Sequence, residues 1–596
     1  MGPIHFTPGA AQKKAALALL GVLGVLGVLG GAACAAPSAA PSADRLIKLD
    51  QLGYLPGSAK VAVVPNLDGA AFTVVKEDGD TVVMRGTLGA AAAYAPAAET
   101  VRLADFSDLA APGRYRLRVA GLPDSAPFTV GPDVYRALNA AAIKAYYLNR
   151  AGIALTGKHA GIYARKAGHP DTNVLIHESA ASAARPAGTV IASPKGWYDA
   201  GDYNKYIVNS GITTYTLLAA YEDFPGFYKA QDLDIPESGN GIPDILNEVL
   251  WNLDWMLTMQ DPADGGVYHK LTDKSFDGMV MPDQARQQRY VVQKTTAAAL
   301  DFAAVMATAS RVLKPYDGKL NGISARALAA SSAAWQWARK NPAVHYRQPK
   351  DIRTGEYGDA NLDDEFGWAA AELYISTGDD AYYKAMRAPE LKATIPSWSD
   401  VGGLAWMSLA RHRKRLTPVA DQALIAARID GLADGLAKVW QDSAYGITMQ
   451  AGDYVWGSSA VVLNQSMMLL QGYQLNGKRD YLRAAQSGLD YVLGRNAVGT
   501  SFVTGYGARS AQHPHHRPSV ADGIAAPVPG FLVGGPQPGQ QDKGDCPAPY
   551  PSAVPAKSWL DHDCSYASNE IAINWNAPLV YVSGAIEALT PPVPAK

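Results

Sequence analysis

Three kinds of feature are scarce in this chain of 596 residues, and each absence excludes a class of protein. It contains only 3 cysteines, too few for a scaffold held together by many disulfides. Its 53 Lys and Arg nearly balance 55 Asp and Glu, so no global basic field exists to hold a nucleic-acid backbone. No sequence repeat of fixed period is evident, which argues against a solenoid. We therefore expect a globular protein with no nucleic-acid partner.

Tyrosine and tryptophan, by contrast, are abundant. The chain has 30 Tyr and 12 Trp against 11 Phe, so most aromatic rings carry a polar group. Such rings can stack on a wet, polar ligand and also form hydrogen bonds with it. This composition favours a carbohydrate ligand.

The amino-terminal segment predicts export. Lys13 and Lys14 precede an apolar run, Ala15–Ala33, and an Ala/Pro/Ser-rich linker follows to residue 43. Cys34 ends the run, and Gly31–Cys34 resembles a bacterial lipoprotein box. Cleavage by ordinary signal peptidase is the alternative to a lipid anchor at Cys34. Either route predicts a secreted, periplasmic or outer-membrane lipoprotein.

The residue pattern of the chain changes near residue 132, and this change predicts a multidomain protein. Short β-branched segments separated by turns fill Leu46–Val130, which is typical of a small β-sandwich. Amphipathic segments with helical spacing follow, and they indicate an all-α domain shaped as a helical toroid whose loops form a cleft. The predicted helices are Val134–Gly152, Gly211–Asp223, Ile242–Gln260, Thr295–Arg311, Ala325–Lys340, Asp364–Ser376, Val401–His412, Asp421–Trp440, Ala460–Asn476, Arg479–Val492 and Ile571–Ala588.

The remaining cysteines, Cys546 and Cys564, form an even pair in a chain predicted to be exported. An oxidising compartment favours a disulfide between them over a metal site. Two buried free thiols are the alternative.

Two acidic segments could carry acid–base chemistry. Asp199 and Asp202, separated by Ala-Gly, could converge on one water if the backbone turns, although a pair of helix-capping residues would look the same. Glu570 precedes an apolar segment, where desolvation would raise its pKa and suit it as a proton donor. A carboxylate in the first turn of a helix is the alternative interpretation of Glu570.

A cluster of histidines lies between these segments in the sequence. His513, His515 and His516 stand within four positions, but their spacing does not match common zinc patterns. Hydrogen bonding to sugar hydroxyls is the better use for them.

These segments together resemble glycoside hydrolase family 9, the inverting β-1,4-glucanases. Asp199–Tyr206 looks like the Asp-Ala-Gly-Asp motif of that family, and Ser501–Arg517 is similar to its histidine signature. Asp50–Pro56 resembles the start of the Ig-like module that precedes many bacterial cellulases of the family. The family's acidic signature is matched by Trp559, Asp561, Tyr566, Glu570, Ala572, Asn576 and Ala577.

The resemblance implies an Ig-like β-sandwich at 44–131 followed by an (α/α)6 barrel at 132–592. Asp202 would be the general base, Asp199 its positioning partner and Glu570 the general acid. An inverting enzyme needs its acid and base about 6.5–9.5 Å apart to admit a water. The predicted substrate-binding set is His515, Arg517 and Tyr566 around the cleavage point, Asp561 supporting the loop of the acid, and Trp398 and Trp456 as stacking platforms or, equally, core residues.

Calcium is the implied structural cofactor. Asp359, Asn361, Asp364 and Glu365 supply oxygen atoms at close spacing, and Asp400 could complete the shell. Some members of the family carry a zinc site built from cysteines and histidines. The segment 147–197 has no cysteine, so we expect no zinc, and we expect no organic cofactor.

The leading functional hypothesis is an endo-β-1,4-glucanase that acts on cellulose-type glucans and oligosaccharides and is a monomer. An exo-acting β-glucosidase or β-glucosaminidase of the same fold is a second hypothesis, because the subsite loops rather than the acid–base pair determine the sugar. A catalytically inactive carbohydrate-binding protein is a third, and the presence of Asp199, Asp202 and Glu570 argues against it.

Overall fold

The computed structural model describes residues 45–590. The predicted export segment, Cys34 and the last two residues of the predicted helical domain lie outside the described residues.

Strands form the first part of the described chain. Two sheets face each other, one with strand order β1-β8-β7-β3-β4 and one with order β2-β6-β5. The strands are β1 Gly53–Tyr54, β2 Val61–Pro65, β3 Ala71–Lys76, β4 Val82–Thr87, β5 Ala92–Tyr94, β6 Glu99–Asp105, β7 Gly113–Val119 and β8 Phe128–Val130.

Alternating side chains give this region its core. In β7, Tyr115, Leu117 and Val119 are buried, whereas the arginines between them point outward. Because successive strand residues face opposite sides, this pattern buries one face of the sheet. Four of the β-branched segments that predicted a β-sandwich, Lys60–Val64, Phe72–Val75, Thr81–Met84 and Tyr115–Val119, coincide with β2, β3, β4 and β7. Strand β6 was not predicted, because its residues Glu99–Asp105 include charged side chains typical of a solvated face.

Helices dominate the rest of the described chain, with one further small sheet of order β10-β9-β13-β12-β11. Its strands are β9 Val174–Ile176, β10 Val190–Ile191, β11 Lys205–Tyr206, β12 Lys270–Thr272 and β13 Tyr290–Val291. The helices are α1 Arg136–Leu148, α2 Gly157–Ala160, α3 Ile207–Asp223, α4 Pro225–Lys229, α5 Asp244–Thr258, α6 Thr296–Leu313, α7 Ile323–Lys340, α8 Asp363–Thr377, α9 Asp380–Ala385, α10 Gly402–His412, α11 Gln422–Asp442, α12 Ser458–Asn476, α13 Arg479–Val492, α14 Arg517–Ala521, α15 Tyr566–Asn569 and α16 Ile573–Leu589.

Six of these helices contact one another in a closed ring. Along the chain α3, α6, α8, α10, α12 and α16 each pack on the next, and α16 returns to α3. Helices α1, α5, α7, α9, α11 and α13 each pack against members of this ring. The ring helices α3 and α16 are buried on nearly every face, because their sequences are uncharged except for Glu222, Asp223 and Glu587 near their carboxyl ends. All eleven helices predicted from the sequence are present, whereas the six-residue α9 was missed.

One helical segment, Thr296–Tyr316, has the length and hydropathy of a membrane span among the described residues. Its apolar window is 94% buried inside the domain. It includes ring helix α6.

The strand region packs directly on the helical region. The Gln51 backbone N–H donates to the Leu493 carbonyl at 3.1 Å, and the Gln51 side chain accepts from the Arg509 N–H at 2.8 Å. The Tyr94 ring lies 4.5 Å from that of Tyr445. The Gln51 contacts join this region to the segment that leads to His515, and the Tyr94 contact joins it to the segment between α11 and α12.

Candidate active site

An open cleft of about 960 Å³ brings together the three predicted catalytic residues, Asp199, Asp202 and Glu570. Most of its walls come from segments that precede ring helices: 199–206 before α3, 354–357 before α8, 396–399 before α10, 455–457 before α12 and 570–572 before α16. The cleft therefore lies at the amino-terminal end of the ring. Its size is at the upper end of the roughly 300–1,000 Å³ of ordinary ligand pockets.

Asp199 and Asp202 lie on a turn at the base of the cleft, with each carboxyl held separately. Asp199 accepts hydrogen bonds from the Asn209 amide at 2.6 Å and from the Tyr357 hydroxyl at 2.7 Å. Asp202 accepts one from the Tyr206 hydroxyl at 3.2 Å and another from the Asn204 amide. Helix α3 begins at Ile207 and receives no side-chain cap, so the helix-capping interpretation of the two aspartates is wrong.

Burial distinguishes Asp199 from an ordinary aspartate. Its side chain is buried, and desolvation together with the nearby charge of Asp202 raises the pKa of Asp199 to about 8. The hydrogen bonds from Asn209 and Tyr357 lower the pKa in the opposite direction, but burial outweighs them.

Glu570 faces this turn from the opposite end of the chain. Its Oε1 accepts a hydrogen bond from the Gly201 N–H at 3.3 Å, which brings the acid to the loop of Asp199 and Asp202. Burial, followed by the charge of Asp202, raises the pKa of Glu570 well above its usual value. Helix α16 begins only at Ile573, so Glu570 is not in the first turn of that helix.

Backbone pairing fixes the position of Glu570. His515 pairs with Glu570 in a parallel bridge, and the His515 N–H donates to the Asn569 carbonyl at 2.8 Å. The Glu570 carbonyl accepts from the Gly534 N–H at 2.9 Å, and the Ile573 N–H donates to the Asp199 carbonyl at 2.9 Å. The acid and the aspartate turn are thus parts of one hydrogen-bonded unit.

Three of the predicted substrate-binding residues line the cleft beside Glu570. Arg517 donates from Nη1 to the Gly201 carbonyl at 2.6 Å and from Nη2 to the Asp277 carbonyl at 2.8 Å. His515 Nδ1 donates to the Asp563 carbonyl at 2.6 Å, and burial lowers the pKa of His515. The Tyr566 ring meets the His515 ring edge to face at 6.0 Å.

Trp398 and Trp456 also line the cleft, whereas Asp561 does not. Trp456 is 42% exposed and lies against the Tyr566 ring at 5.6 Å, so a purely core role for it is wrong. Trp398 is partly buried and contacts the Tyr357 ring edge to face at 5.1 Å. Asp561 instead accepts hydrogen bonds from the Gln512 and His513 N–H groups and from the Asn569 amide, which supports the segments on either side of the acid.

A second acidic cluster lies behind the Tyr357 wall. Among the predicted calcium ligands, Asp359 Oδ2 and both Glu365 carboxylate oxygens are buried without a hydrogen-bond partner. Both oxygens of Asp301, on α6, are buried and unpartnered in the same way. Burial, followed by the charges of Asp359 and Asp364, raises the pKa of Asp301 well above its usual value. Burial, followed by the charge of Asp301, does the same for the pKa of Glu365. Unpaired buried carboxylates in one cluster fit a hard cation.

The other predicted ligands are already engaged. Asp364 accepts from the Asn361 amide at 2.9 Å and from the Val401 N–H at 2.8 Å. Asp400 accepts from the Thr394 hydroxyl at 2.5 Å. The orphaned oxygens therefore indicate that Asp301, Asp359 and Glu365 form the centre of the cluster.

The predicted disulfide between Cys546 and Cys564 is confirmed. It lies next to His562, but a disulfide offers no thiolates for a metal. A second group of metal-ligand type among the described residues is His169 with Asp273 and Asp277. There Arg289 pairs with Asp273 at 3.5 Å and already supplies a positive charge.

Sequence reasoning missed several functional contacts. Tyr206, Asn209 and Tyr357 hold the two aspartates, yet Tyr357 is 158 positions from Asp199. No local pattern connects such distant residues. Asp301 is the only acidic residue within the otherwise uncharged start of α6, an anomaly that could have marked it.

The cleft, with Asp199, Asp202 and Glu570 brought together beside an exposed aromatic wall, defines a glycoside hydrolase of the two-carboxylate type. Comparison with known proteins agrees with this class. The model of glycosyl hydrolase family 9 matches residues 135–583, and the model of the cellulase N-terminal ig-like domain matches residues 42–124. The chain belongs to glycosyl hydrolase family 9.

Relatives extend over nearly the whole chain. A xyloglucan-specific endo-beta-1,4-glucanase, BoGH9A of Bacteroides ovatus, is 45% identical over 91% of this chain and 94% of its own length. Endoglucanase D of Acetivibrio thermocellus is 34% identical over 90% of this chain and 83% of its own length. The solved structure of Bacteroides ovatus GH9 has a TM-score of 0.86 and 42% identity, covering 92% of this chain and 100% of its own.

Proposed function

We propose that this protein is an inverting endo-β-1,4-glucanase in which Glu570 is the general acid and Asp202 the general base. The observation that carries the proposal is the contact of the Glu570 carboxyl with Gly201, in the middle of the Asp199–Asp202 turn, at the base of an open cleft. An open cleft admits an internal part of a polymer chain, which favours endo action over an exo-acting β-glucosidase or β-glucosaminidase. Family membership and the endoglucanase relatives support the same reaction.

The surroundings of each carboxyl support its proposed role. Burial raises the pKa of Glu570, so this side chain keeps its proton at a pH where a free glutamate is ionised, and it can protonate the leaving oxygen. Asp202 takes the proton of the attacking water. Asp199, held by Asn209 and Tyr357, orients that water. These three roles fit an inverting mechanism.

The cleft walls bind the glucan. His515 and Tyr566 contact the sugar beside the acid, and Arg517 holds the Gly201 turn in place through its backbone bonds. Trp398 and the exposed Trp456 offer flat apolar faces for further glucose units. The name of the relative at 45% identity makes xyloglucan a polymer to test alongside unbranched glucan.

A structural calcium ion is part of the proposal. Asp301, Asp359 and Glu365 would hold it, with Asn361, Asp364 and Asp400 around them. When bound, the ion would neutralise the buried carboxylates and connect α6, α8 and the segment that carries Tyr357. Tyr357 in turn positions Asp199.

The remaining proposals concern architecture and location. The closed ring of α3, α6, α8, α10, α12 and α16 is the inner layer of an (α/α)6 barrel at 132–592, and an Ig-like sandwich at 44–131 buttresses it. The extracellular polymer substrate is consistent with export of the protein.

Proton NMR of the purified protein with calcium and cellohexaose tests the reaction. We expect α-anomer products in the earliest spectra, because inversion at a β-bond gives the α-configuration. Glu570→Gln and Asp202→Asn should each lower kcat by at least about a hundredfold. Initial β-anomer would contradict the base assignment of Asp202, and an unchanged rate in both variants would refute the site.

A further inference from the structure

Phe276 is an exposed aromatic residue at the cleft for which neither the sequence motifs nor the acid–base chemistry has a use. Its side chain is 48% exposed and lines the same cleft as Glu570 and Asp202. Leaving a phenyl ring in water forgoes the free energy that burial would provide. Its place in the cleft wall makes this ring available to a ligand bound beside Glu570 and Asp202.

The loop that carries Phe276 is held in place and is not a free surface loop. It connects β12 to β13 over residues 273–289 without a helix or strand. Loops of this length in a compact domain are commonly functional. The Asp273 N–H donates to the Asn204 Oδ1 at 2.9 Å, and the Tyr203 hydroxyl donates to the Val280 carbonyl at 2.5 Å. Both partners belong to the segment that follows Asp202.

Arg517 makes the third connection, at the residue next to Phe276. Its Nε and Nη2 donate to the Asp277 carbonyl at 3.0 and 2.8 Å, while its Nη1 donates to the Gly201 carbonyl at 2.6 Å. The Arg517 guanidinium lies 5.8 Å from the centre of the Phe276 ring. One buried arginine thus sets the ring at a fixed place relative to the turn of Asp199 and Asp202.

We infer that Phe276 is a sugar-stacking platform that binds one glucose unit of the substrate next to the cleavage point, on the Arg517 side of the cleft. This inference rests on the proposed function and adds a specificity-determining residue to it. In this arrangement the apolar face of a β-linked glucose lies flat on the phenyl ring and removes it from water. Trp456 and Tyr566 form a separate aromatic pair in the cleft wall.

The test compares Phe276 variants with the wild type on cellotetraose, cellopentaose and cellohexaose. Phe276→Ala should raise KM for cellohexaose about tenfold and change kcat by less than about twofold, because stacking contributes equally to the ground state and the transition state. The cleavage position of cellopentaose should also shift. Phe276→Trp should retain wild-type behaviour, whereas Phe276→Leu, apolar but without a flat ring, should resemble Phe276→Ala.

Met279→Ala is the matched control, since Met279 is 37% exposed on the same loop and does not line the cleft. It should leave KM and the cleavage pattern unchanged. Wild-type KM and cleavage pattern in Phe276→Ala would overturn the inference. Full activity of Phe276→Leu would overturn it as well. A fall in kcat with a shifted pH profile in Phe276→Ala would also overturn it, because that result would indicate that Phe276 acts by positioning Arg517.

The outcomes for Phe276 and for the proposed function can be told apart. Turnover by the wild type and its loss in Glu570→Gln establish the reaction whatever Phe276 does. Absence of turnover by the wild type, or unchanged turnover in Glu570→Gln, would count against the proposed function itself.

Discussion

At the scale of single residues, surroundings rather than residue type assign tasks to the carboxyl groups. Asp199 is buried among hydrogen-bond donors, and its pKa rises to about 8. Glu570 has one backbone donor, from Gly201, and burial raises its pKa further from the ordinary value than that donor can offset. Burial therefore keeps both carboxyls protonated at a pH where a free carboxyl is ionised, which suits Glu570 to the proton-donating role proposed for it.

The proposed role of Glu570 as the general acid predicts how the activity of a Glu570 variant depends on the leaving group. Glu570→Gln should lose about a hundredfold or more in kcat/KM on cellohexaose, but less than about tenfold on 2,4-dinitrophenyl β-cellobioside, whose leaving group needs no proton. The wild type should lose activity on cellohexaose as pH rises through the raised pKa of Glu570, and the variant should show no such alkaline limb with the activated substrate. Initial rates between pH 4 and 10 measure both effects.

Glu390→Gln is the control. Glu390 is an exposed surface residue, so the same substitution there should leave the activity on both substrates unchanged. An equal loss on both substrates in Glu570→Gln would contradict its role as the acid.

At the scale of elements, the acidic cluster links two ring helices to a wall of the cleft. Asp301 belongs to α6, Glu365 to the first turn of α8, and Asp359 to the segment between Tyr357 and α8. Without a cation these buried carboxylates repel one another, which is costly. A bound calcium ion would convert that repulsion into a crosslink and steady Tyr357 against Asp199.

Removing one of these carboxylates should weaken calcium binding. Asp301→Asn should lower calcium affinity by about tenfold or more, since it removes a charged oxygen donor from the cluster. Titration calorimetry on protein dialysed against chelator measures the affinity, and the rise of Tm on adding calcium should shrink in parallel. Asp363→Asn, an exposed position on the same helix turn as Glu365, should bind calcium like the wild type. Equal affinity in Asp301→Asn would exclude Asp301 from the site.

At the scale of the whole molecule, the strand region and the helical region share a buried polar contact. Asp50 accepts from the Leu52 and Gly53 N–H groups and from the Tyr135 hydroxyl. Burial first, and then the charge of Asp490 on α13, raise the pKa of Asp50 well above its usual value. Burial likewise raises the pKa of Asp490 to about 7, with Arg495 and Lys60 opposing the shift.

This contact predicts how stability depends on pH. A carboxyl whose pKa is higher in the folded than in the unfolded state stabilises the fold fully below its unfolded pKa, and that contribution is lost as pH rises through the folded value. For Asp490 the loss falls between about pH 4 and pH 7. Asp50→Asn keeps a side-chain oxygen that can accept from the Leu52 and Gly53 N–H groups, and it removes one charge. It should therefore raise Tm at pH 8 by on the order of 1–3 °C.

Thermal unfolding of both proteins at pH 5 and pH 8 measures this effect, and the difference between them should be smaller at pH 5. Asp108→Asn is the control, because Asp108 is exposed on the strand region and should leave Tm unchanged at both values. A lower Tm of Asp50→Asn at pH 8 would show that the ionised carboxylate stabilises the contact.

Much of the architecture could be predicted from the sequence because its causes are local. Helices such as α5 and α13 show their buried face in the spacing of apolar residues, and β7 shows its alternation directly. Elements without a local pattern were missed, as for the short α9 and the charged β6. The disulfide was predictable because only one pair of cysteines follows the amino-terminal segment.

The sequence by itself determined which residue types are available for chemistry: two aspartates on one turn, an acid before an apolar helix and an excess of Tyr and Trp. Only the tertiary structure decided which of them meet. Tyr357 reaches Asp199, Asp301 joins Glu365, and Phe276 is anchored beside Arg517 because ring closure brings segments distant in sequence to one end of the helices. Burial there sets the protonation of each carboxyl, and burial depends on the packing of the whole chain rather than on neighbours in the sequence.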